Sequence, residues 1–288
     1  MNRLKFSTSI IEIIQRRYSC RTYKTESLHD NTKRNLIKFL QADHKSPFNC
    51  GTRFELLQIQ ELDPKVKRQL GTYGFIQGAK NFIVGATKKS KYDLENFGYV
   101  MEELILFATD LGLGTCWVGG TFKRSKFAAQ INNITDNEAV PAITPVGYAA
   151  ENRSKVDRLA RWAARSKKRH PWENLFFEGD CKYPLTRERA GRYDIPLEMI
   201  RIAPSASNRQ PWRVIKDSKN FHFFIFRKRS WYSSLLSWPD FPRLDLGIAV
   251  CHFNLTALER GLKGSWQFIR PEITTPGHLQ YVISWISK

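Results

Sequence analysis

Two clusters of polar residues in this sequence have compositions typical of ligand-binding sites. The first, Arg16–Arg21 (RRYSCR), follows the apolar segment Ile10–Ile14, whose spacing predicts a helix. Guanidinium groups bind phosphate through two parallel hydrogen bonds, and a nearby hydroxyl can donate a third. The alternative is a solvated surface cluster, which these residues alone do not exclude.

The second cluster, Ala203–Trp212, has the sequence APSASNRQPW. Its two prolines, small residues and hydrogen-bonding side chains predict a shaped loop with several donors and acceptors. The alternative is a plain turn anchored by Trp212. The loop lacks the glycine and lysine spacing of nucleoside-triphosphate-binding loops, which excludes that class of site.

A third segment, Gly112–Gly120 (GLGTCWVGG), is rich in glycine. It is only superficially similar to a dinucleotide-binding fingerprint, because it follows a predicted helix rather than a strand and opens no further helix. Glycine has no side chain, so this backbone could approach a flat ligand closely. The alternative is a helix end followed by the start of a strand.

Charge and composition narrow the class of protein. The chain has 46 Lys and Arg against 27 Asp and Glu, a formal net charge of +19, and 42% apolar residues. This composition excludes a mainly disordered chain and favours anionic partners. The five cysteines form no CxxC pair and the six histidines have no metal-ligand spacing. We therefore expect free thiols, no metal site and a cytoplasmic location.

The elements that position these segments form an internal repeat. Asn96–Trp117 and Asp245–Trp266 align without a gap at an offset of 149 residues, with glycine, alanine, Gly-Leu and tryptophan coinciding. In both copies the apolar spacing predicts a buried central helix that ends at Gly112 or Gly261. A strand is predicted to close each copy, at 142–148 and 280–286.

The repeat predicts an α+β chain of two homologous halves, 1–150 and 187–288, joined by a basic connecting arm, 151–186. We expect the halves to form one compact globule, because no low-complexity linker separates them. Within the arm, Asn152–His170 has Lys or Arg at eight of nineteen positions. This segment is either a solvated helix or an anion-binding arm.

In combination, these motifs resemble the nitroreductase family of flavoproteins over essentially the whole chain. The resemblance is carried by RRYSCRTY, APSASNRQPW, the glycine-ended helix before Cys116-Trp117 and the basic arm ending KKRHPW. It implies a nitroreductase-like fold in which each half has an antiparallel-type sheet flanked by helices. Ordinary members are homodimers with two FMN molecules at the subunit interface. The duplication therefore indicates a fused pseudo-dimer, similar to the single-chain branch called putative TM nitroreductases. We expect a monomer, with a higher oligomer as the alternative.

The resemblance also implies the FMN-binding residues. Arg17 and Ser19 match the phosphate-binding motif, and Arg21 matches its second basic position, near the ribityl chain and the pyrimidine edge. Gly119 and Gly120 match the backbone segment beside flavin N5. The other matches lie later in the chain: Pro204, Ser205 and Asn208 in the loop that approaches the flavin, and Lys167 and Arg169 in the basic pair that closes on the phosphate.

Each half has lost a motif that the other retains. The first half has Ser46–Phe54 in place of the APSASNRQPW loop, and the second has Arg187–Tyr193 in place of the N-terminal arginine motif. We therefore expect one FMN per chain at the interface of the halves, and no second site.

The resemblance implies an enzyme in which NADH or NADPH reduces bound FMN and a nitroaromatic, quinone or similar acceptor then reoxidises it, by a ping-pong mechanism. Arg21 would stabilise the anionic reduced flavin and Gly119 and Gly120 would bind near N5, so these three are the expected catalytic residues. Large aromatic side chains could cover the flavin, with Phe122, Trp231, Tyr232 and Trp238 as the candidates.

Three other functions remain open at this point, and one of them is a related flavin enzyme that catalyses reductive dehalogenation or ring fragmentation. A non-catalytic FMN-binding or flavin-handling protein would have the same motifs without turnover. A basic nucleic-acid-binding protein is suggested by the charge alone, but the sequence has no helix-turn-helix, RNP, KH or zinc-finger signature. We expect a small-molecule electron acceptor as the partner, with no specific nucleic acid and no membrane.

Overall fold

The computed structural model describes residues 6–59, 76–151, 168–227 and 239–288. It divides into two compact units, unit 1 (Met1–Ser166) and unit 2 (Lys167–Lys288). The division falls within the predicted connecting arm. Residues 152–167, which carry most of the basic side chains of that arm, lie outside the described residues, so the nature of the arm stays a prediction.

Unit 1 combines helices with one antiparallel sheet whose strands differ in length. Its helices are α1 (Ile10–Arg16), α2 (Asp30–Leu40), α3 (Asp93–Asp110) and α4 (Arg124–Ala128), and its strands are β1 (Thr52–Gln58), β2 (Asn81–Lys88), β3 (Gly114–Thr115), β4 (Glu138–Ala139) and β5 (Ile143–Gly147). The strands are antiparallel in the order β1-β2-β5-β3, and β4 pairs with the end of β2. The central strand β2 is buried over all but its last residue.

The long helix α3 forms the centre of unit 1. It is buried around most of its circumference, which confirms the prediction from its apolar spacing. α3 packs on β1, β2 and β3, and also on α1 and α2. Most polar groups on α3 therefore lie in the interior and need a partner there.

Unit 2 also places helices against a sheet. Its helices are α5 (Arg187–Ala190), α6 (Asp194–Ile202) and α7 (Phe241–Glu259), and its strands are β6 (Phe176–Glu178), β7 (Trp212–Asp217), β8 (Asn220–Phe226), β9 (Gly264–Gln267) and β10 (Leu279–Ser287). The sheet order is β6-β7-β8-β10-β9. All pairs are antiparallel except β6 with β7, which are parallel. The parallel strand comes from the predicted connecting arm rather than from the repeat.

The two units repeat one topology. The chain order α2, β1, β2, α3, β3, β5 of unit 1 recurs in unit 2 as α6, β7, β8, α7, β9, β10. The sheet orders β1-β2-β5-β3 and β7-β8-β10-β9 then correspond strand for strand. α2 packs on α3, and α6 packs on α7. The internal duplication inferred from sequence therefore extends to the fold.

Both central helices end in the same backbone motif. Gly112 and Gly261 have φ values of 78° and 66°, in the left-handed region that favours glycine. After α3, the Leu113 N–H donates to the Ala108 carbonyl at 2.9 Å, and after α7 the Leu262 N–H donates to the Ala257 carbonyl at 2.9 Å. These are the long bonds of a Schellman motif, so the predicted glycine helix ends are confirmed.

The core of unit 2 centres on Phe253 of α7. The rings of Phe223, Trp266 and Trp285 lie 5.4, 5.6 and 5.6 Å from the Phe253 ring, each edge-on. Such edge-to-face contacts are favoured because the ring edge is positive and the ring face is negative. At the equivalent position unit 1 has Leu104, so the two cores share their architecture but not their side chains.

Candidate functional site

A buried ion pair connects the N-terminal arginine motif to α3. The Arg17 side chain is 7% exposed, and its Nε lies 3.8 Å from Oε1 of Glu102, which is fully buried. Among the described residues, no acceptor lies within hydrogen-bonding distance of this Nε. A buried donor without an acceptor is costly, so the position suits an anionic ligand that supplies one.

Ser19 and Arg21 lie on an extended segment that runs beside β3. Ser19 forms a parallel bridge with Thr115, and the Cys20 N–H donates to the Thr115 carbonyl at 2.8 Å. The Gln77 N–H donates to the Arg21 carbonyl at 2.9 Å. The Ser19 and Arg21 residues themselves are half-buried. The backbone of the motif is thus held by neighbouring segments, and its side chains retain access to solvent.

Gly114 permits the close approach of this segment to β3. A Cβ at Gly114 would lie 2.8 Å from both Cβ and Sγ of Cys20, which is closer than real side chains come. The Tyr23 hydroxyl donates to the Cys20 carbonyl at 2.7 Å, and burial raises the pKa of Tyr23 well above its usual value. The first glycines of the Gly112–Gly120 segment therefore serve the fold itself.

Gly119 and Gly120 follow a tryptophan that is anchored to the same buried carboxylate. Trp117 Nε1 donates to Oε2 of Glu102 at 2.7 Å. Gly119 is half-buried and Gly120 is exposed. A Cβ at Gly120 would meet no atom within 4 Å, and its φ is not positive. The described part of the chain therefore does not require glycine at position 120, which leaves room for a ligand to approach the backbone.

Of the four aromatic candidates, Phe122 is the one that lies among the described residues. Phe122 is buried, and its ring lies 5.6 Å from that of Phe127 in an edge-on contact. Arg124 lies over the Phe122 ring at 5.0 Å and donates to the Gly119 carbonyl. Burial lowers the pKa of Arg124. Phe122 is thus a core residue of unit 1, and the other three candidates, Trp231, Tyr232 and Trp238, lie outside the described residues.

The loop of unit 2 has an unusual backbone. Ser207, Asn208 and Gln210 have φ values of 50°, 55° and 48°, a region that non-glycine residues rarely adopt. Ser205 holds the loop closed: its carbonyl accepts from the Asn208 N–H and its Oγ from the Gln210 N–H, both at 2.9 Å. Backbone strain of this kind clusters at functional sites. Pro204 and Ser205 are half-buried.

Unit 2 brings two of the predicted FMN residues together. Arg169 Nη1 donates to Oδ1 of Asn208 at 2.9 Å, and Arg169 Nη2 donates to the Ile202 carbonyl at the end of α6 at 3.1 Å. Asn208 Nδ2 donates in turn to the Lys168 carbonyl at 2.6 Å. Both residues therefore tie the end of the arm to the loop. Lys167, the other predicted member of the basic pair, lies outside the described residues.

Asp245 of α7 contacts the same loop from the helix. Its Oδ1 accepts a hydrogen bond from the Ala206 N–H at 2.9 Å, and the residue is only 4% exposed. Burial raises the pKa of Asp245 to about 8, although the bond from Ala206 and the charge of Arg209 oppose this. At neutral pH this carboxyl therefore carries a proton for much of the time.

Unit 1 retains the frame of this loop with its serine and asparagine, but has Cys50 and Gly51 where unit 2 has Arg209 and Gln210. The Asn49 N–H donates to the Ser46 carbonyl at 3.3 Å, and Asn49 has a φ of 47°. In unit 2 the same hydrogen bond joins Asn208 to Ser205, and Asn208 has a φ of 55°. Asn96, the residue equivalent to Asp245, donates from Nδ2 to the Cys50 carbonyl at 2.8 Å. The central helix thus binds its loop in both units, through a donor in one and an acceptor in the other.

The two buried carboxyl groups that contact the motif-bearing segments, Glu102 and Asp245, were not singled out by the sequence analysis. The available signal was the presence of carboxylates in helices that the apolar spacing predicts to be buried, because buried charges need partners. Among the described residues there is no group of three or more His, Cys, Asp or Glu side chains that could hold a metal ion. No helix in the described part of the chain is long and apolar enough to cross a membrane.

The duplicated topology and the two motif-bearing segments define an α+β protein of the nitroreductase fold. A sequence profile described as "Putative TM nitroreductase" matches residues 9–257. Because the match spans most of the chain, the protein belongs to this family.

One solved structure shares the fold over the whole chain, and others align over about half of it. A putative nitroreductase from Thermotoga maritima aligns over 100% of this chain and 97% of its own, with 21% identity and a TM-score of 0.59. A nitroreductase family protein from Clostridium novyi NT covers 52% of this chain and 91% of its own, with 19% identity and a TM-score of 0.42. An FMN-dependent nitroreductase from Clostridium difficile R20291 covers 50% and 90%, with 21% identity and a TM-score of 0.40. A comparison with curated proteins found no match.

Proposed function

We propose that this protein is an FMN-dependent oxidoreductase of nitroreductase type that transfers electrons from NADH or NADPH to a small-molecule acceptor. Membership of the family supports the reaction class. The observation that carries the cofactor assignment is the buried Nε of Arg17, which has no acceptor among the described residues. The phosphate of FMN would supply that acceptor, and phosphate is the group that guanidinium binds best.

Four further residues of unit 1 would complete its share of the site. Ser19 and Arg21 follow Arg17 on the same extended segment, and both are half-buried. Ser19 would donate to the phosphate, while Arg21 would place positive charge where the reduced cofactor is anionic. Gly119 and Gly120 would present backbone to the ring, which the open space at Gly120 supports.

Unit 2 would contribute the strained loop and the end of the basic arm. We propose Pro204 and Ser205 as residues that contact the cofactor, with Arg169 and Lys167 supplying positive charge. The side chain of Asn208 already binds Arg169 and Lys168, so it would act mainly by holding the loop in shape. One FMN per chain would use residues of both units, because each unit retains a motif that the other lacks.

FMN, when bound, supplies two-electron redox chemistry between a nicotinamide donor and an acceptor such as a nitroaromatic or a quinone. The chain itself would bind the phosphate, orient the ring through glycine backbone and compensate charge through Arg21. With the redox chemistry supplied by FMN, the proposed reaction requires no side-chain acid or base and no metal.

The test is the flavin content of the purified protein. We expect a yellow protein from which one FMN per chain is released, identified by chromatography against FMN, FAD and riboflavin standards. Protein that binds no flavin when titrated with FMN would refute the proposal, and two FMN per chain would refute the single site.

Anaerobic mixing with a nicotinamide donor then tests catalysis. We expect NADH or NADPH to bleach the flavin absorbance within seconds, and a quinone or nitroaromatic to restore it. If bound FMN stays oxidised for minutes with both donors, the protein is a non-catalytic flavin-binding protein instead.

A further inference from the structure

Glu102 contacts both segments of unit 1 that carry the proposed FMN residues. Its Oε2 accepts from Trp117 Nε1 at 2.7 Å, two residues before Gly119. Its Oε1 lies 3.8 Å from Nε of Arg17, two residues before Ser19. Because a buried carboxylate is costly unless it is paired, Glu102 is held in place by these contacts and in turn holds both segments against α3.

Unit 2 shows which of these contacts needs a charge. The position equivalent to Glu102 is Cys251, which is buried and uncharged. The equivalent tryptophan, Trp266, is nevertheless anchored, because its Nε1 donates to Oδ1 of Asn254 at 2.8 Å. A neutral acceptor is therefore enough for the tryptophan. Unit 2 lacks the N-terminal arginine motif, so the carboxylate and the arginine occur together in unit 1 and are both missing from unit 2.

We propose that Glu102 is a positioning residue that serves as the counter-ion of Arg17 in the cofactor-free protein and thereby limits the affinity for the FMN phosphate. This rests on the proposed function, because it takes Arg17 as the phosphate ligand. The 3.8 Å separation is too long for a hydrogen bond, so Glu102 compensates the charge of Arg17 without occupying its Nε.

The physical consequence is a competition between two anions for one guanidinium. An incoming phosphate is attracted by Arg17 and repelled by Glu102. The low-dielectric interior strengthens both the attraction and the repulsion. Removing the charge of Glu102 therefore destabilises the cofactor-free protein and strengthens phosphate binding. A residue with a merely structural role would weaken cofactor binding when it is replaced.

The experiment compares Glu102→Gln with the unchanged protein in the full chain. The glutamine carbonyl keeps an acceptor for Trp117 while the charge is lost. We expect a lower melting temperature without cofactor and an FMN dissociation constant lower by about tenfold at low ionic strength. Riboflavin, which lacks the phosphate, should bind the variant and the unchanged protein equally within about twofold.

Glu103→Gln is the matched control. Glu103 is the next residue of α3, is also buried, and pairs with Nδ1 of His44 at 2.8 Å. This variant loses a buried ion pair as well, so its melting temperature should fall. Its affinity for FMN should stay unchanged, because its partner is not Arg17.

The proposal is overturned if Glu102→Gln binds FMN no more tightly than the unchanged protein, or if riboflavin affinity changes to the same extent. If the unchanged protein and the Glu103→Gln control bind no FMN, the proposed function has failed and this inference fails with it. Should Glu102→Gln not fold, Arg17→Gln is compared with the double variant R17Q/E102Q. The double variant should be more stable and bind FMN more tightly than Arg17→Gln, and equal or weaker binding overturns the proposal.

Discussion

Unit 1 and unit 2 share the order and pairing of their elements but bury different polar groups on their central helices. Among the equivalent positions that differ, Asn96, Glu102 and Glu103 on α3 correspond to Asp245, Cys251 and His252 on α7. Asn96, Glu102, Glu103, Asp245 and His252 each bind a partner in their own unit, and the partners differ as well. The apolar residues thus maintain a common frame, while the buried polar side chains on the central helix differ between the units.

The positions of Asn96 and Asp245 show this most directly. Asn96 contacts the loop before β1 and donates to a carbonyl there, whereas Asp245 contacts the loop before β7 and accepts from an N–H. A donor cannot replace an acceptor at a buried site without leaving a group unpaired. An ionised Asp245 could therefore not bind the loop of unit 1, which needs a donor at this position.

Asp245→Asn should give the largest change in stability. The folded carboxyl has a pKa of about 8 against 3.8 for an ordinary Asp, so the folded state holds a proton that the unfolded state has lost between these values. Stability of the unchanged protein therefore falls as the pH rises from about 4 to about 8. The amide cannot ionise, and its oxygen can still accept from Ala206. We expect the variant to be more stable by about 2 to 4 kcal/mol at pH 8.

Urea unfolding at pH 5 and pH 8 measures this effect. The increase in the free energy of unfolding of the variant over the unchanged protein should be clearly smaller at pH 5 than at pH 8. An increase that is the same at both pH values would contradict the raised pKa of Asp245. The reverse replacement, Asn96→Asp, is the control: it removes the donor to Cys50 and buries a carboxyl, so it should destabilise unit 1.

Arg17→Gln should give the largest loss of cofactor affinity. Loss of a charge-assisted hydrogen bond to phosphate corresponds to about 2 kcal/mol, so we expect the FMN dissociation constant to rise about 30-fold. The control is Arg192→Gln, because Arg192 is exposed in the segment of unit 2 that replaces the arginine motif. Fluorescence titration with FMN gives both values, and equal losses in the two variants would mean that unit 1 does not carry the phosphate site.

His44 should make unit 1 lose stability at alkaline pH. Burial by itself lowers the pKa of His44, but the bond to Glu103, the charge of Glu103 and the Phe39 carbonyl raise it overall. The stabilisation is fully present below the ordinary pKa of 6.5 and is lost as the pH rises through the raised value. We expect His44→Gln to cost about 1 to 2 kcal/mol at pH 6 and less at pH 9.

Thermal unfolding across that range checks the effect. In Glu103→Gln the same pH dependence should shrink, because the carboxylate that raises the pKa of His44 is gone. A His44→Gln effect that does not change between pH 6 and pH 9 would count against the charged pair.

Replacing Gly120 and Gly112 should have small effects that distinguish FMN binding from stability. Gly120→Ala meets open space and no positive φ, so its stability should change by less than about 0.5 kcal/mol, while the FMN dissociation constant should rise several-fold. Gly112→Ala forces a Cβ into a left-handed φ of 78° and should cost about 1 kcal/mol of stability without changing FMN affinity. Melting curves and FMN titrations of both variants decide the matter, and a Gly120→Ala variant with unchanged affinity would remove this backbone from the proposed site.

Much of the fold could be predicted because its signals are local. The apolar spacing of α3 and α7, the glycines that end them and the closing strands β5 and β10 were all readable within short windows. The 149-residue repeat then linked the two halves. The parallel strand β6 was missed because its three residues carry no periodic signal, and its direction depends on a neighbour far along the chain.

The candidate site was predictable only in part. The motif residues were recognised by their types, but the partners of Arg17, Asn208 and Asp245 were not. Those partners are Glu102, Arg169 and the backbone of Ala206, and each pair is far apart in sequence. Spacing along a helix tells which residues share a face, but not which loop that face will meet.

The sequence by itself determined the duplication, the helices with their glycine ends and the residue types available for binding a phosphate, because these follow from local spacing and backbone conformation. Only the tertiary structure decided which charges are buried together. Burial removes water as the partner of a polar side chain, so the nearest protein group takes its place. Packing determines which group that is, and thereby whether the polar side chain is paired, has a shifted pKa or can bind a ligand.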